Sequence, residues 1–292
     1  MSKAGEPLKP LLAPSTSRPS ASWFGPGKNT TVLRDNFDIT TWLAMGALAQ
    51  GTAFLLLGRL SLLPAFTLIL FRLLTTYLQT INILTNPNMS NIIPGKFSAQ
   101  IPQPDGTFSA QPANSSIVVF HIGARTNHPM GLLAPGYKDL GGYFQSMATE
   151  LDERAEEFGF LGMTSWLDAA SRSSSNGNLS VGYFRTLEGL QAFAHSELHR
   201  KAWDWWNRTV KQHSHLSIYH ETFEVPKGAW ETIYANSHRE GLASAMFKVE
   251  GSEEKWVSGV VDANKGVLRS AAGRITRGSG GENEKYGEVE YV

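Results

Sequence analysis

The longest apolar stretch runs from Trp42 to Leu84, WLAMGALAQGTAFLLLGRLSLLPAFTLILFRLLTTYLQTINIL. Its only charges are Arg59 and Arg72, and it contains no acidic residue. A bilayer span takes ~20 mostly apolar residues. The Trp42–Gly58 part is slightly short and holds Gln50, whereas Ser61–Leu84 is long enough but carries Pro64 and Arg72. An arginine at mid-span costs ~2.5–3.5 kcal/mol on insertion scales, and nearer an end it can snorkel to the interface. The pattern predicts a membrane segment over 41–85. It is either a hairpin of two helices turning near Gly58–Ser61 or a single span beside an interfacial helix. Arg34 and Lys96 flank it on both sides, so charge bias does not choose an orientation.

The flanking regions lack such periodicity. Residues 1–40 include KPLLAPSTSRPSASWFGPGKNTT and read as a disordered tail. Residues 86–114, rich in Pro, Asn, Gln and Gly, read as a linker. An orderly alternation then begins. Ser115–Ala124 is β-branched and apolar, hence a buried strand. Over Tyr137–Gly159, Leu140, Phe144, Met147, Leu151 and Phe158 recur at helical spacing. Met163–Arg172 and Leu179–Thr186 are strand candidates around a turn at Ser173–Asn178, with Asn176–Gly177 as the hairpin signal. Leu187–Gln212 is amphipathic and helical, broken near Ala194–Ser196, and His215–Val225 is a fourth strand. The order βαββαβ predicts an α+β, ferredoxin-like domain over 115–250. Both faces of the last strand carry bulk, so two such sheets can pack face to face in a homodimer. A partly helical segment is expected from Trp230, and residues 251–292 read as a second disordered tail.

Composition narrows the chemistry. Lys plus Arg and Asp plus Glu are both 26, so no net charge favours nucleic acid. The absence of cysteine excludes thiolate nucleophiles, Cys-ligated zinc and iron–sulfur clusters. No GxGxxG or P-loop supports a nucleotide cofactor.

Candidate chemistry gathers between Phe193 and His215, which hold four of the eight histidines and three of the eight tryptophans. His195 and His199 lie four apart and share one helical face if the helix runs through. Such a pair can relay a proton or, with a third ligand, bind a metal. HSELH is not the zincin HExxH, because Glu197 does not follow the first histidine. Trp203 continues the same stripe, and with Phe193 it can wall an apolar pocket. His121 and His220 stand in strands, either as satisfied core or interface residues or pointing into a cavity. Arg185 can hold an anionic substrate group or pair with Glu188 or Glu221.

The stretches VVFHIG, GYFRTLEGLQAFAHSELHRKAWDWW and SIYHETFEV, in this element order, resemble the antibiotic-biosynthesis-monooxygenase type of dimeric α+β barrel. More closely, they resemble fungal monooxygenase-like proteins that pair this domain with an N-terminal membrane segment. The resemblance implies an oxygenase tailoring a hydrophobic natural-product intermediate. It implies no required cofactor, with haem as the alternative, and an endoplasmic reticulum membrane with the domain in the cytosol. On that reading His195 or His199 is the base, and Phe193, Trp203, Arg185, His121 and His220 contact substrate. A haem-dependent or acid–base dehydratase or cyclase on the same fold, and a non-catalytic membrane scaffold, are the alternatives.

Overall fold

The computed structural model describes residues 6–18, 33–168, 177–252 and 255–275. Its centre is a four-stranded antiparallel sheet in the order β3-β4-β2-β5, built from β2 (Ile117–Thr126), β3 (Phe160–Leu167), β4 (Asn178–Phe184) and β5 (Leu216–Val225). Helix α3 (Tyr137–Glu153) crosses between β2 and β3, and α4 (Leu187–Ala194) with α5 (Glu197–Thr209) crosses between β4 and β5. This is the expected ferredoxin-like α+β arrangement. Strand period two explains the layering. Val118 and Phe120 of β2, Phe160 and Met163 of β3 and Phe184 of β4 point to the helices. They meet Ala148 and Leu151 of α3 and Leu190 and Phe193 of α4. The expected hairpin turn lies largely outside the described residues.

The opposite face of the sheet carries a second layer that composition did not foretell. Residues 86–114 are not simply a linker: β1 (Ile93–Ala99) is the middle strand of a sheet ordered β6-β1-β9. Its partners are β6 (Tyr234–Ser237) and β9 (Val260–Asp262), while β7 (Met246–Lys248) pairs with β8 (Trp256–Ser258). The helix expected from Trp230 is therefore replaced by strands and a 3₁₀ turn, Gly241–Ser244. The expected C-terminal tail contributes β8, β9 and a short helix α6 (Ala271–Arg274). The start of the expected N-terminal tail lies along this layer in extended form. Leu11 N–H donates to the Val260 carbonyl, and Ser15 and Trp256 exchange backbone hydrogen bonds of 2.8 Å. Arg18 then pairs with Asp152 of α3 at 2.7 Å.

The reason lies in polar residues that are buried yet satisfied. Gln100 is 2 % exposed; its Oε1 accepts from Ala113 N–H at 2.7 Å and its Nε2 donates to Ser98 Oγ at 2.9 Å. Ser98 and Ala99 bond Thr232 Oγ1 in turn. Such groups lower local hydrophobicity but stabilise once paired. The layer buries Phe97, Trp230, Leu242 and Phe247 against Ile117 and Leu161 of the central sheet. The rest of that sheet face stays open: Trp166, Tyr219 and Phe223 are each 44–49 % exposed.

The apolar N-terminal run is helical from Ile39 to Thr80 and interrupted once. Helix α1 (Ile39–Leu57) and helix α2 (Leu63–Thr80) are joined by a 3₁₀ turn at Gly58–Leu62. The run has a mean hydropathy of 2.1 in its apolar window, of which only 6 % is buried, and it is the one helical stretch among the described residues long and apolar enough to cross a membrane. Several of its polar side chains are satisfied internally. Gln50 Nε2 donates to Ser61 Oγ at 3.1 Å, and Thr52, Thr75 and Thr80 donate to carbonyls four residues back.

Phe97 is fully buried and stacks on Tyr234 with ring centroids 4.9 Å apart. The Phe97→Ala variant is expected to lose ~3–5 kcal/mol of stability. Denaturant unfolding monitored by tryptophan fluorescence checks this, and a change under 1 kcal/mol would mean that the second layer is not part of the folded unit.

Candidate functional site

The cavity of interest arises because α5 does not pack down on the sheet. Helix α3 lays Leu140, Phe144, Ala148 and Leu151 fully into the core. By contrast, α5 buries no residue completely. Between α3, α5 and β5 there remains a cavity of about 390 Å³, lined largely by apolar groups, among them Tyr143, Met147, Trp203, Trp206, Ile218 and His220. A smaller annex of about 40 Å³ runs inward past Met147 to Phe120, Phe193 and Leu151. His199 lines both, so its imidazole stands at the junction.

The break between α4 and α5 aims that imidazole. Helix α4 ends at His195, and Ser196 has extended backbone (ψ 156°) and caps α5 by accepting from His199 N–H at 3.3 Å. The same Ser196 hydroxyl donates to Glu150 Oε2 of α3 at 3.0 Å. Glu150 is also paired with Arg154 one turn on. A cap residue of this kind is worth ~1 kcal/mol or more, and here it also ties α5 to α3. The Phe193 ring meets the His199 ring edge-on at 5.4 Å.

Burial, and next the neighbouring His220, hold His199 below the ordinary imidazole pKa. The Glu150 carboxylate opposes this to a lesser degree. His199 is thus neutral at physiological pH and able to accept a proton in an apolar enclosure.

The expected site residues separate into four places. His199, Phe193, Trp203 and His220 converge on the cavity or its annex. His195 does not. The chain breaks directly after it, so the shared stripe with His199 is lost; it is exposed, and its Nδ1 bonds the Gln191 carbonyl at 2.7 Å. His121 lies on the opposite face of the sheet, 3.5 Å from Glu221 and edge-on to Phe223 at 5.5 Å. Strand alternation dictates this, since Phe120 and Ile122 take the helix side. Arg185 borders a different concavity of about 640 Å³ at the seam between the two layers, with its guanidinium 5.3 Å from the Phe247 ring centre. It pairs with neither Glu188 nor Glu221. That larger hollow has no imidazole in its wall. Tyr143, Met147 and Ile218 also line the cavity. Met147 was visible in the sequence only as part of the α3 core stripe. Tyr143 gave no signal of its own.

A βαββαβ sheet with an imidazole-bearing apolar cavity under its helices defines a ferredoxin-like α+β domain. Comparison with known proteins assigns it further. A family model for monooxygenase af470-like proteins matches residues 117–242. Monooxygenase af470 of Aspergillus fumigatus is 35 % identical over 277 residues, covering 92 % of this chain and 98 % of that one. The chain belongs to the monooxygenase af470-like family. Among solved structures it is similar to the aldoxime dehydratase OxdRE in complex with butyraldoxime, at 13 % identity and a TM-score of 0.38, over 51 % of this chain and 39 % of that one. It is also similar to SnoaB, a cofactor-independent oxygenase from Streptomyces nogalater, at 9 % identity and a TM-score of 0.26, over 37 % of this chain and 91 % of that one.

The lowered pKa of His199 has a sign. Below the ordinary imidazole value, about 6.5, the unfolded chain takes up a proton that the folded site resists. This stability contribution is therefore full at neutral pH and is lost as pH falls from that value toward the folded pKa. Denaturant titrations at pH 7.5 and 5.5 are expected to show a smaller acid-induced loss in His199→Gln than in the parent chain. Equal losses would mean that His199 titrates as if in water.

Proposed function

We propose that the chain is a membrane-anchored oxygenase that tailors a hydrophobic natural-product intermediate without a bound cofactor. The observation that carries this reading is the neutral His199 imidazole at the junction of the two apolar spaces. His199 removes an acidic C–H proton. The resulting carbanion adds dioxygen to form a hydroperoxide, which eliminates water and leaves a carbonyl. One oxygen atom stays in the product and the other departs as water with the two hydrogens of the original methylene. The substrate supplies all four electrons. The protein's part is deprotonation, positioning and exclusion of water by Phe193, Trp203 and Met147. Burial, and next His220 across the cavity, hold His199 below the ordinary imidazole pKa before the reaction. His195, Arg185 and His121 have no part in this reading.

Helices α1 and α2, of 19 and 18 residues, are each about 27–29 Å long, close to the ~30 Å of a hydrocarbon core. That match supports a membrane location, which we assign to the endoplasmic reticulum with the folded domain on the cytosolic side. It would bring the cavity to a lipid-dissolved substrate. A second copy of the chain covers the open sheet face at Trp166, Tyr219 and Phe223, making the barrel.

Incubating pathway intermediates with the purified protein under labelled dioxygen tests the chemistry. One labelled oxygen in the product is expected. His199→Ala should lower turnover ~10²–10⁴-fold, the usual contribution of a positioned base, while His195→Ala changes it less than threefold. Undiminished turnover in His199→Ala contradicts the assignment, and a Soret band in active protein would replace it with a haem mechanism. Phe223→Glu, which places a carboxylate on the open face, is expected to convert a dimer to a monomer in light scattering in mild detergent. A parent chain that is monomeric already would refute the barrel.

A further inference from the structure

The join between the membrane run and the folded domain is built rather than loose. Residues Asp35 and Asn36, just before α1, are 6 % and 2 % exposed. Asn36 Oδ1 accepts from Leu132 N–H at 2.8 Å. The neighbouring Gly131 has φ +55°, and a Cβ there would stand 2.0 Å from Asn36 Oδ1, so only glycine leaves room for the carboxamide. Trp42 in the first turn of α1 donates back to the Arg34 carbonyl at 2.7 Å and meets Phe37 edge-on at 5.7 Å. This latch holds the entry of the apolar run against the turn before α3.

Large apolar side chains surround the latch without burying themselves. Leu33 is 51 % exposed, Met130 52 % and Leu133 69 %, with Phe37 and Trp42 beside them. Met130 and Leu133 flank the latched Gly131–Leu132 pair, while Leu33 and Phe37 flank Asp35–Asn36, so the four belong to one patch. It is continuous with the exposed apolar surface of α1, which begins at Ile39. Scattered exposed leucines need no explanation, but a contiguous patch marks a contact.

We propose that this patch is a second membrane-contact site, through which Met130 and Leu133 seat the folded domain on the phospholipid surface. The proposal rests on the reading of Ile39–Thr80 as a membrane segment. Its consequence for the site is geometric. A row of rings leads from the latched turn to the cavity wall: His128 to His215 at 4.9 Å, His215 to His213 at 5.9 Å, His213 to Trp205 at 5.8 Å and Trp205 to Tyr143 at 5.4 Å. Leu140, also in the cavity wall, stands in the first turn of α3, eight residues beyond Leu132. The α3 wall of the cavity is thus tied through packed rings to the turn that this proposal seats on the bilayer.

The chain has no cysteine, so single sites can be labelled cleanly. Full-length Leu133→Cys and Leu55→Cys, each carrying an environment-sensitive fluorophore, are reconstituted in phosphatidylcholine vesicles with and without nitroxide-bearing lipid. Both labels should be quenched at least twofold by the nitroxide and shielded from aqueous iodide. Adding Asn36→Ala should free the Leu133 label while the Leu55 label stays quenched and the far-ultraviolet spectrum is unchanged. A quenched Leu55 label beside an iodide-accessible Leu133 label overturns this proposal alone. An unquenched Leu55 label overturns the membrane reading and this proposal with it. A Leu133 label that stays quenched in Asn36→Ala removes the latch from the account.

Discussion

One serine hydroxyl holds the candidate site together. Ser196 ends one helix crossing and starts the next, accepts from the backbone of His199 and donates to Glu150 on the facing helix. Because the cap redirects the chain, α4 drives Phe193 into the core while α5 leaves the sheet and keeps space beneath it. A continuous helix would have carried His195 and His199 on one stripe. The break separates them and leaves a single imidazole facing inward from this segment. Glu150, fixed by Arg154, ties this local geometry to the longest helix of the folded domain.

The second layer determines how much of the sheet is free for other contacts. Strands β1, β6 and β9 and the turn at Gly241–Ser244 cover the end of the sheet at Ile117 and Leu161. The open remainder, on β3 and β5, is an aromatic strip with the His121–Glu221 pair inside it. The cavity lies on the other face, so the sheet has one side turned to the cavity and one side partly covered by its own chain and partly open.

The sequence made the central fold legible because every strand and helix there follows a single period. Val118, Phe120 and Ile122 alternate, Leu140, Phe144, Met147 and Leu151 repeat, and the Ala194–Ser196 break carries a capping serine. The second layer was illegible for a physical reason. Its strands are only three to seven residues long, and β1 with the residue that follows it hides the polar Ser98 and Gln100 in the interior. It pairs with residues more than a hundred positions away. Composition therefore reported loop and tail where pairing makes sheet. The site was half legible. His199, Phe193, Trp203 and His220 follow from their segment's chemistry, but the side of the sheet on which His121 falls, and the layer seam that takes Arg185, depend on packing that no local pattern records.

Everything functional reduces to whether an apolar molecule binds against His199 and not elsewhere. The direct measurement is the imidazole ring-proton spectrum of the protein in mild detergent as farnesol is titrated in as an apolar probe. The His199 and His220 resonances are expected to shift together and saturate, while those of His195 and His121 stay in place. Movement of His195 with His199 unaffected would contradict this.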